Sequence, residues 1–291
     1  MNDDLLMELA DCGSPETILR AIFDHHADWP EKVPVEDFAR SVGIIEFQNL
    51  EVDGFVGALM TDDAKNKGII LTKTGQGERR NRFTVAHELG HFLIPSHMGN
   101  RQCTAADLRE HRRDTIHRKQ ESEANRFAAG LLMYKPRFTQ DIDRLGEADV
   151  SHIVTLAKRY GTSLEATANR YVDLSEKICA FVFSKDNLIR YARAKRGFPW
   201  LAVRKGDGLP DGCHSRLVPA TPLRKPSSWA ELDGSVWLET KFGFRAPTIL
   251  EQSMRQRDGY QITLLVAEVE DEETDIEKQE LEENWRVGFR R

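Results

Sequence analysis

The sequence predicts an α+β protein, with helices and strands interleaved in the first half and strands dominant beyond about residue 176. Three observations carry this. Apolar residues recur at three- and four-residue spacing in Pro15–Asp28 and Arg82–Leu93, the mark of helices with one buried face. Short runs at Ile44–Leu50, Gly54–Met60 and Gly68–Thr72 lie between those helices and read as strands. After Ser175 come Ile178–Phe183, Leu188–Ala192, Val236–Glu239 and Tyr260–Val266, strand-like runs parted by loops such as Gly206–Pro226 that contain Pro and Gly.

The 291 residues suffice for two domains. A hydrophobic content of 40% and a charged content of 30% describe an ordinary globular chain. No run approaches the ~20 apolar residues of a membrane span. The start, Met1-Asn2-Asp3-Asp4, lacks the basic and apolar regions of a signal peptide. Cys12, Cys103, Cys179 and Cys213 are scattered without a Cys-x-x-Cys, so neither a disulfide framework nor a cysteine zinc cluster is expected. A cytoplasmic location is the expectation, and a net charge of −6 argues against a mainly nucleic-acid-binding surface.

The first elements follow from local rules. Ser14 can cap a helix whose first turn holds Pro15 and whose face is Ile18, Leu19, Ile22 and Phe23. His25 and His26 near its end are expected to face solvent. Val33–Gly43 predicts a second helix, stopped by Gly43. The third strand run leads through Lys73–Gly77 towards the next helix. Gly75 and Gly77 are loop residues, since no third glycine completes a dinucleotide fingerprint. The strand before that helix is expected to offer an edge to which an extended peptide could add.

The helix is Arg82-Phe83-Thr84-Val85-Ala86-His87-Glu88-Leu89-Gly90-His91-Phe92-Leu93. Residues four apart share a helix face, so His87 and His91 can offer two imidazole nitrogens to one ion about 2.0–2.1 Å away, the bond length of zinc. Glu88 stands beside that pair, where it can take a proton from an attacking water. Phe83, Val85, Ala86, Leu89, Phe92 and Leu93 make the helix apolar on much of its circumference. Buried histidines there need partners. The pattern points to a zinc hydrolase.

A catalytic zinc site of this kind requires a third protein ligand. His97 lies six residues past His91, as in H-E-x-x-H-x-x-G-x-x-H, but Ile94 stands where that motif has glycine. The other candidate is Glu121, on a helix through Glu121–Met133 whose apolar face is Ala124, Phe127, Ala128 and Leu131. Asn125, one turn on, could orient a ligand histidine. Glu123 is rotated about 200° from Glu121, so the two cannot point at one ion.

These two blocks resemble those of the ImmA/IrrE metallopeptidases. The signature there is Arg-x-x-(Phe)-Thr-(hydrophobic)-Ala-His-Glu-Leu-Gly-His followed by Glu-x-Glu-Ala-Asn-x-Phe-Ala-Ala-x-Leu-Leu-Met. Both stand here almost unaltered, at Arg82–His91 and Glu121–Met133. The resemblance covers about residues 15–175. One departure is Tyr134-Lys135-Pro136, where many members place proline directly after the methionine. The resemblance implies a zincin-like, gluzincin-type core, with His87, His91 and Glu121 holding Zn²⁺ and Glu88 as general base. Mn²⁺ is the alternative ion, since His₂-carboxylate sites accept several. It also implies a protein substrate, typically a helix-turn-helix repressor cleaved under stress or in a mobile element. The alternatives are a non-proteolytic regulator that binds a repressor or DNA through the same core, and a toxin–antitoxin component.

Residues 151–176 fit two short helices around Gly161, a helix-turn-helix spacing. Lys158, Arg159 and Arg170 could face DNA, but Glu165 and Asp173 dilute the charge, so a pair packed on the core is favoured over direct DNA binding. His97, His111, His117 and Tyr134 are candidates for oxyanion assistance, each expected to be structural or solvated. Asn100–Gln120 is expected to be a charged exposed segment. The expected organisation is a zincin-like domain at 1–150, the helical segment at 151–176, a β-rich domain at 177–267 and an acidic tail with a basic end at 268–291. By the resemblance, the β-rich domain would be a counterpart of the extra domain of longer members, in one branch a sensor-like GAF module. Cys213-His214 reads as loop.

Overall fold

The computed structural model describes residues 3–52, 54–97, 101–104, 115–220, 223–240 and 246–267. The tail at 268–291 and His111 lie outside them, as does much of the Asn100–Gln120 segment. The fold is mixed α and β with two sheets. It divides into two compact units, Met1–Glu147 with Ser151–Ser175, and Ala148–Val150 with Glu176–Arg291.

In the first unit α1 (Asp3–Ala10) precedes α2 (Pro15–His25). Ser14 and Thr17 close a capping box at the start of α2, each side chain accepting from the other's backbone N–H at 3.2 Å. After α3 (Val35–Ser41) come β1 (Ile44–Leu50), β2 (Phe55–Thr61) and β3 (Gly68–Lys73). With β4 (Arg101–Thr104) they form a sheet of order β1-β3-β2-β4, β1 parallel to β3 and the other pairs antiparallel. This corrects the sequence reading of the strand before the motif helix. β3 is paired on both sides, so the outer strands are β1 and β4.

The motif helix α4 (Glu78–Leu93) begins four residues earlier than its apolar pattern, directly after Gly77 at φ 77°. It packs on β2 and β3 and, on another side, against α5 (Thr115–Leu132). Val85, Ala86, Leu89, Ala124, Phe127 and Leu131 are buried along that contact region. Three further helices follow: α6 (Lys135–Leu145), α7 (Ser151–Tyr160) and α8 (Leu164–Leu174). Buried Asp141 of α6 accepts from the Tyr160 hydroxyl at 2.7 Å and from Arg159 Nε at 3.0 Å. Arg170 gives two hydrogen bonds to the Met133 carbonyl, at 3.0 and 3.1 Å. Two of the three cations weighed for DNA are thus engaged within the unit.

The second unit is built on an antiparallel sheet of β5 (Cys179–Lys185), β6 (Leu188–Ala194), β7 (Ala230–Asp233), β8 (Thr248–Arg255) and β9 (Tyr260–Ala267), in the order β6-β5-β9-β8-β7. Asp186 and Asn187, at φ 50° and 64°, make the two-residue turn between β5 and β6, a geometry these side chains tolerate. Ala180, Val182, Ile189, Ile249 and Leu265 pack with Trp237, Phe198 and Leu209 in its core. Val236–Glu239, expected as a strand, is none. Gly234–Val236 is a short 3₁₀ helix that delivers Trp237 into the core.

Glu251 on β8 is wholly buried. It accepts from the backbone N–H groups of Ser215 (2.6 Å) and His214 (3.1 Å), and from Trp237 Nε1 (2.8 Å). It thereby ties the 3₁₀ helix His214–Ala220 and the core tryptophan to one strand. Because Glu251→Ala leaves three donors without an acceptor, urea unfolding of the variant is expected to show a loss of at least about 3 kcal/mol.

Candidate metal centre

His87, Glu88 and His91 are each fully buried on α4, and Glu121 on α5 is 2% exposed. What brings α5 so close is Gly90. A Cβ at that position would lie 2.9 Å from Phe127 Cδ1 and 3.3 Å from Ala124 Cα, so a side chain there would push the second helix away. With glycine the two polar faces meet. His87 Nε2 is 3.2 Å from His91 Nε2 and 3.2 Å from Glu121 Oε2, and His91 Nε2 is 3.4 Å from Glu121 Oε1.

The two carboxylate distances are to different oxygens, and the cluster as a whole is of a size to hold a metal ion. A tetrahedron with vertices about 2.0–2.1 Å from its centre, the zinc–nitrogen distance, has edges of about 3.3–3.4 Å. The ring nitrogens facing away from the cluster are already committed. His87 Nδ1 is 3.1 Å from Asn125 Oδ1, an acceptor, so the ring's proton sits on Nδ1 and its Nε2 presents a lone pair. His91 Nδ1 is 2.9 Å from His97 Nδ1. Burial, the foremost cause, pushes the His91 imidazole down to about 3 despite Glu121 beside it, so it is neutral at ordinary pH. Burial alone would raise the Glu121 carboxyl, but the His87 and His91 imidazoles that face it outweigh this and hold the group well below the usual range. A neutral imidazole beside an ionised carboxylate is a state ready for a cation. Among the described residues, His87, His91 and Glu121 form a buried cluster able to hold a metal.

Glu88 lies beneath β2. A Cβ on Gly57 would fall 2.5 Å from both Glu88 Oε1 and Thr84 Cγ2, so a residue without a side chain lets the strand cross the carboxylate. The end of α4 is held by Lys65, whose Nζ donates to the carbonyls of His91 (2.8 Å), Ile94 (3.0 Å) and His97 (3.2 Å). Burial lowers its pKa to about 8, leaving it charged at neutral pH, as suits a helix C-terminus. Sequence reasoning singled out neither Gly57 nor Lys65. Of the residues weighed for oxyanion assistance, His97 sits behind His91. His117 Nε2 is 3.9 Å from Glu121 Oε1, one turn away on α5. Tyr134 instead stacks on Phe23 with ring centroids 3.8 Å apart.

Residues 44–171 match the model of the peptidase M78 family, described as the IrrE N-terminal-like domain. The match over those residues supports membership of the ImmA/IrrE family. Its β1–β4 sheet, α4 and α5 all fall within the matched residues. A search of curated proteins finds no match. A solved structure titled "Mycobacterium tuberculosis transcriptional regulator" superposes with a TM-score of 0.53 at 11% identity, covering 91% of this chain and 79% of that one. That is a likeness of fold. No described helix is long and apolar enough to cross a membrane.

Two outcomes follow from the packing and the charges. Gly57→Ala forces a methyl against Glu88 and Thr84, and thermal or urea unfolding is expected to register about 1–3 kcal/mol of overpacking. Metal-free protein is expected to lose stability as pH falls from about 6.5 towards 3, because unfolded His91 takes its proton near 6.5 and folded His91 only near 3. Glu121, depressed in the fold, adds to the loss below its ordinary 4.5. Melting curves in chelator between pH 7.5 and 4 measure this, and His91→Gln should flatten them in the upper part of that window.

Proposed function

We propose that the chain is a metal-dependent endopeptidase of zincin-like build, with His87, His91 and Glu121 as ligands and Zn²⁺ as the ion. Mn²⁺ is the alternative, the donor set being open to both. The convergence of the two imidazole Nε2 atoms on the Glu121 carboxylate, one facing each oxygen at 3.2 and 3.4 Å, is the observation that carries this reading. An ion held there would polarise a peptide carbonyl and lower the pKa of water from 15.7 towards ~7. Glu88, next in sequence to a ligand and buried under β2, would accept the proton of the attacking water on its carboxylate. It would then hand that proton to the leaving amine.

As substrate we propose a helix-turn-helix transcriptional repressor, cleaved under stress or in a mobile element. The support is the family match over residues 44–171. A regulator that binds its repressor without cutting it is the second reading, favoured by the fold likeness to a protein titled a transcriptional regulator. Direct DNA binding through α7 and α8 is disfavoured, since Arg159 and Arg170 serve the protein's own carboxylates and carbonyls.

The decisive experiment incubates the purified chain and Zn²⁺ or Mn²⁺ with the helix-turn-helix repressor encoded beside it, looking for a cleavage product. Glu88→Gln is expected to abolish the product while fold and bound metal persist. If that variant still cleaves, or regulates normally in cells, the enzymatic reading is wrong. Metal analysis is expected to find zinc lost from Glu121→Ala and retained by His97→Ala.

A further inference from the structure

We infer that His97 and Glu123 form a positioning pair that orients the His91 imidazole towards the metal. This rests on the metal-centre reading and concerns residues that no ligand or catalytic role includes. His97 is 2% exposed, and both its ring nitrogens are engaged: Nδ1 lies 2.9 Å from His91 Nδ1, and Nε2 lies 3.0 Å from Glu123 Oε2.

The protons in this chain can be placed by elimination. Glu123 Oε2 accepts, so His97 Nε2 carries the proton that it donates. A neutral His97 then has a bare Nδ1, which can only accept. His91 Nδ1 must therefore be the donor, and the lone pair of His91 is left on Nε2, the atom facing His87 and Glu121. One tautomer of each ring satisfies the contacts His91–His97 and His97–Glu123, and in it His91 is set as a ligand. The negative charge of Glu123 reaches His91 through the second imidazole, raising its basicity. Behind His87 stands the neutral amide of Asn125. Partners of this kind behind a ligand histidine are worth 10–100-fold in metal affinity.

Backbone anchors hold the pair in place. After α4 ends, His97 N–H donates to the Ile94 carbonyl, turning the chain back without the glycine a third-ligand turn would use. Lys65 binds the His97 carbonyl, and Gln120 Nε2 donates to the Ser96 carbonyl at 2.8 Å, fastening that turn to α5. Glu123, the one member of the chain whose side chain reaches solvent (14%), also lies 3.9 Å from Lys119 Nζ. His97 is thus brought to the rear of His91, on the side of the ring away from the ligand cluster.

The test measures zinc dissociation constants of the full chain by competition with a chromophoric chelator, with the visible spectrum of the cobalt-loaded protein and the melting temperature of the metal-free form alongside. Glu123→Ala and His97→Ala are each expected to bind zinc about 10–100-fold more weakly than wild type and to shift the cobalt bands. The double variant should be no weaker than His97→Ala, because Glu123 acts through His97. Glu123→Gln, which keeps an acceptor and loses the charge, should fall between Glu123→Ala and wild type. Affinities within about twofold of wild type, or additive losses, overturn the pair, as does a His97→Ala that folds but holds no zinc. Should His97→Ala fail to fold, the two Glu123 variants decide, since a merely structural role lowers their metal-free melting temperature and leaves zinc affinity unchanged. A wild-type chain that binds no zinc overturns the metal-centre reading itself, a result distinct from the others.

Discussion

Everything at the site depends on how closely α4 and α5 can approach. Gly90 removes the one side chain that would hold them apart, and Phe127 and Ala124 fill the space. The apolar residues on both helices drive the contact through burial. Their polar residues are carried inward with them, so a carboxylate comes to lie buried among imidazoles. Such a group is costly to bury unless its charge is answered. The two imidazole Nε2 atoms and the two Glu121 oxygens, 3.2–3.4 Å apart across the cluster, are arranged to hold a cation that would answer it.

A second buried carboxylate shows that the ion is not a general requirement. Glu251 is as deeply buried as Glu121, yet it faces two backbone N–H groups and an indole N–H. Hydrogen-bond donors satisfy that charge in place, and the group works as a staple within the second unit. Around Glu121 the facing atoms are imidazole Nε2 nitrogens, and at His87 the proton is committed to Asn125 on the far side of the ring. The difference between a carboxylate held by donors and one placed to hold a cation lies in which atoms surround it.

Legibility in the sequence followed periodicity. α2, α4 and α5 could be read because each presents an apolar stripe, and β5 and β9 because they are runs of Val, Ile, Leu and Phe. β8 escaped because Glu251, Gln252 and Ser253 look like a polar break in Thr248–Arg255, though all three are buried and hydrogen-bonded. α6 escaped because only Phe138, Asp141 and Ile142 are buried in an otherwise polar stretch. Val236–Glu239 read as a strand because Val, Trp and Leu are good strand formers, but Trp237 is placed by its core contacts and its bond to Glu251. Tertiary context overrode local preference at each of these points.

The sequence by itself determined the chemistry on offer: two imidazoles one helical turn apart, a carboxylate next to the first, and a second block with a carboxylate and an amide on one face. Helix geometry is local, so spacing along the chain suffices for that. Only the tertiary structure decided where His97 and Glu123 go. Which side of an imidazole a neighbour touches depends on the turn after α4, on Lys65 from the loop between β2 and β3, and on the packing of α5. These contacts join residues 26 to 32 positions apart, and no local pattern encodes them.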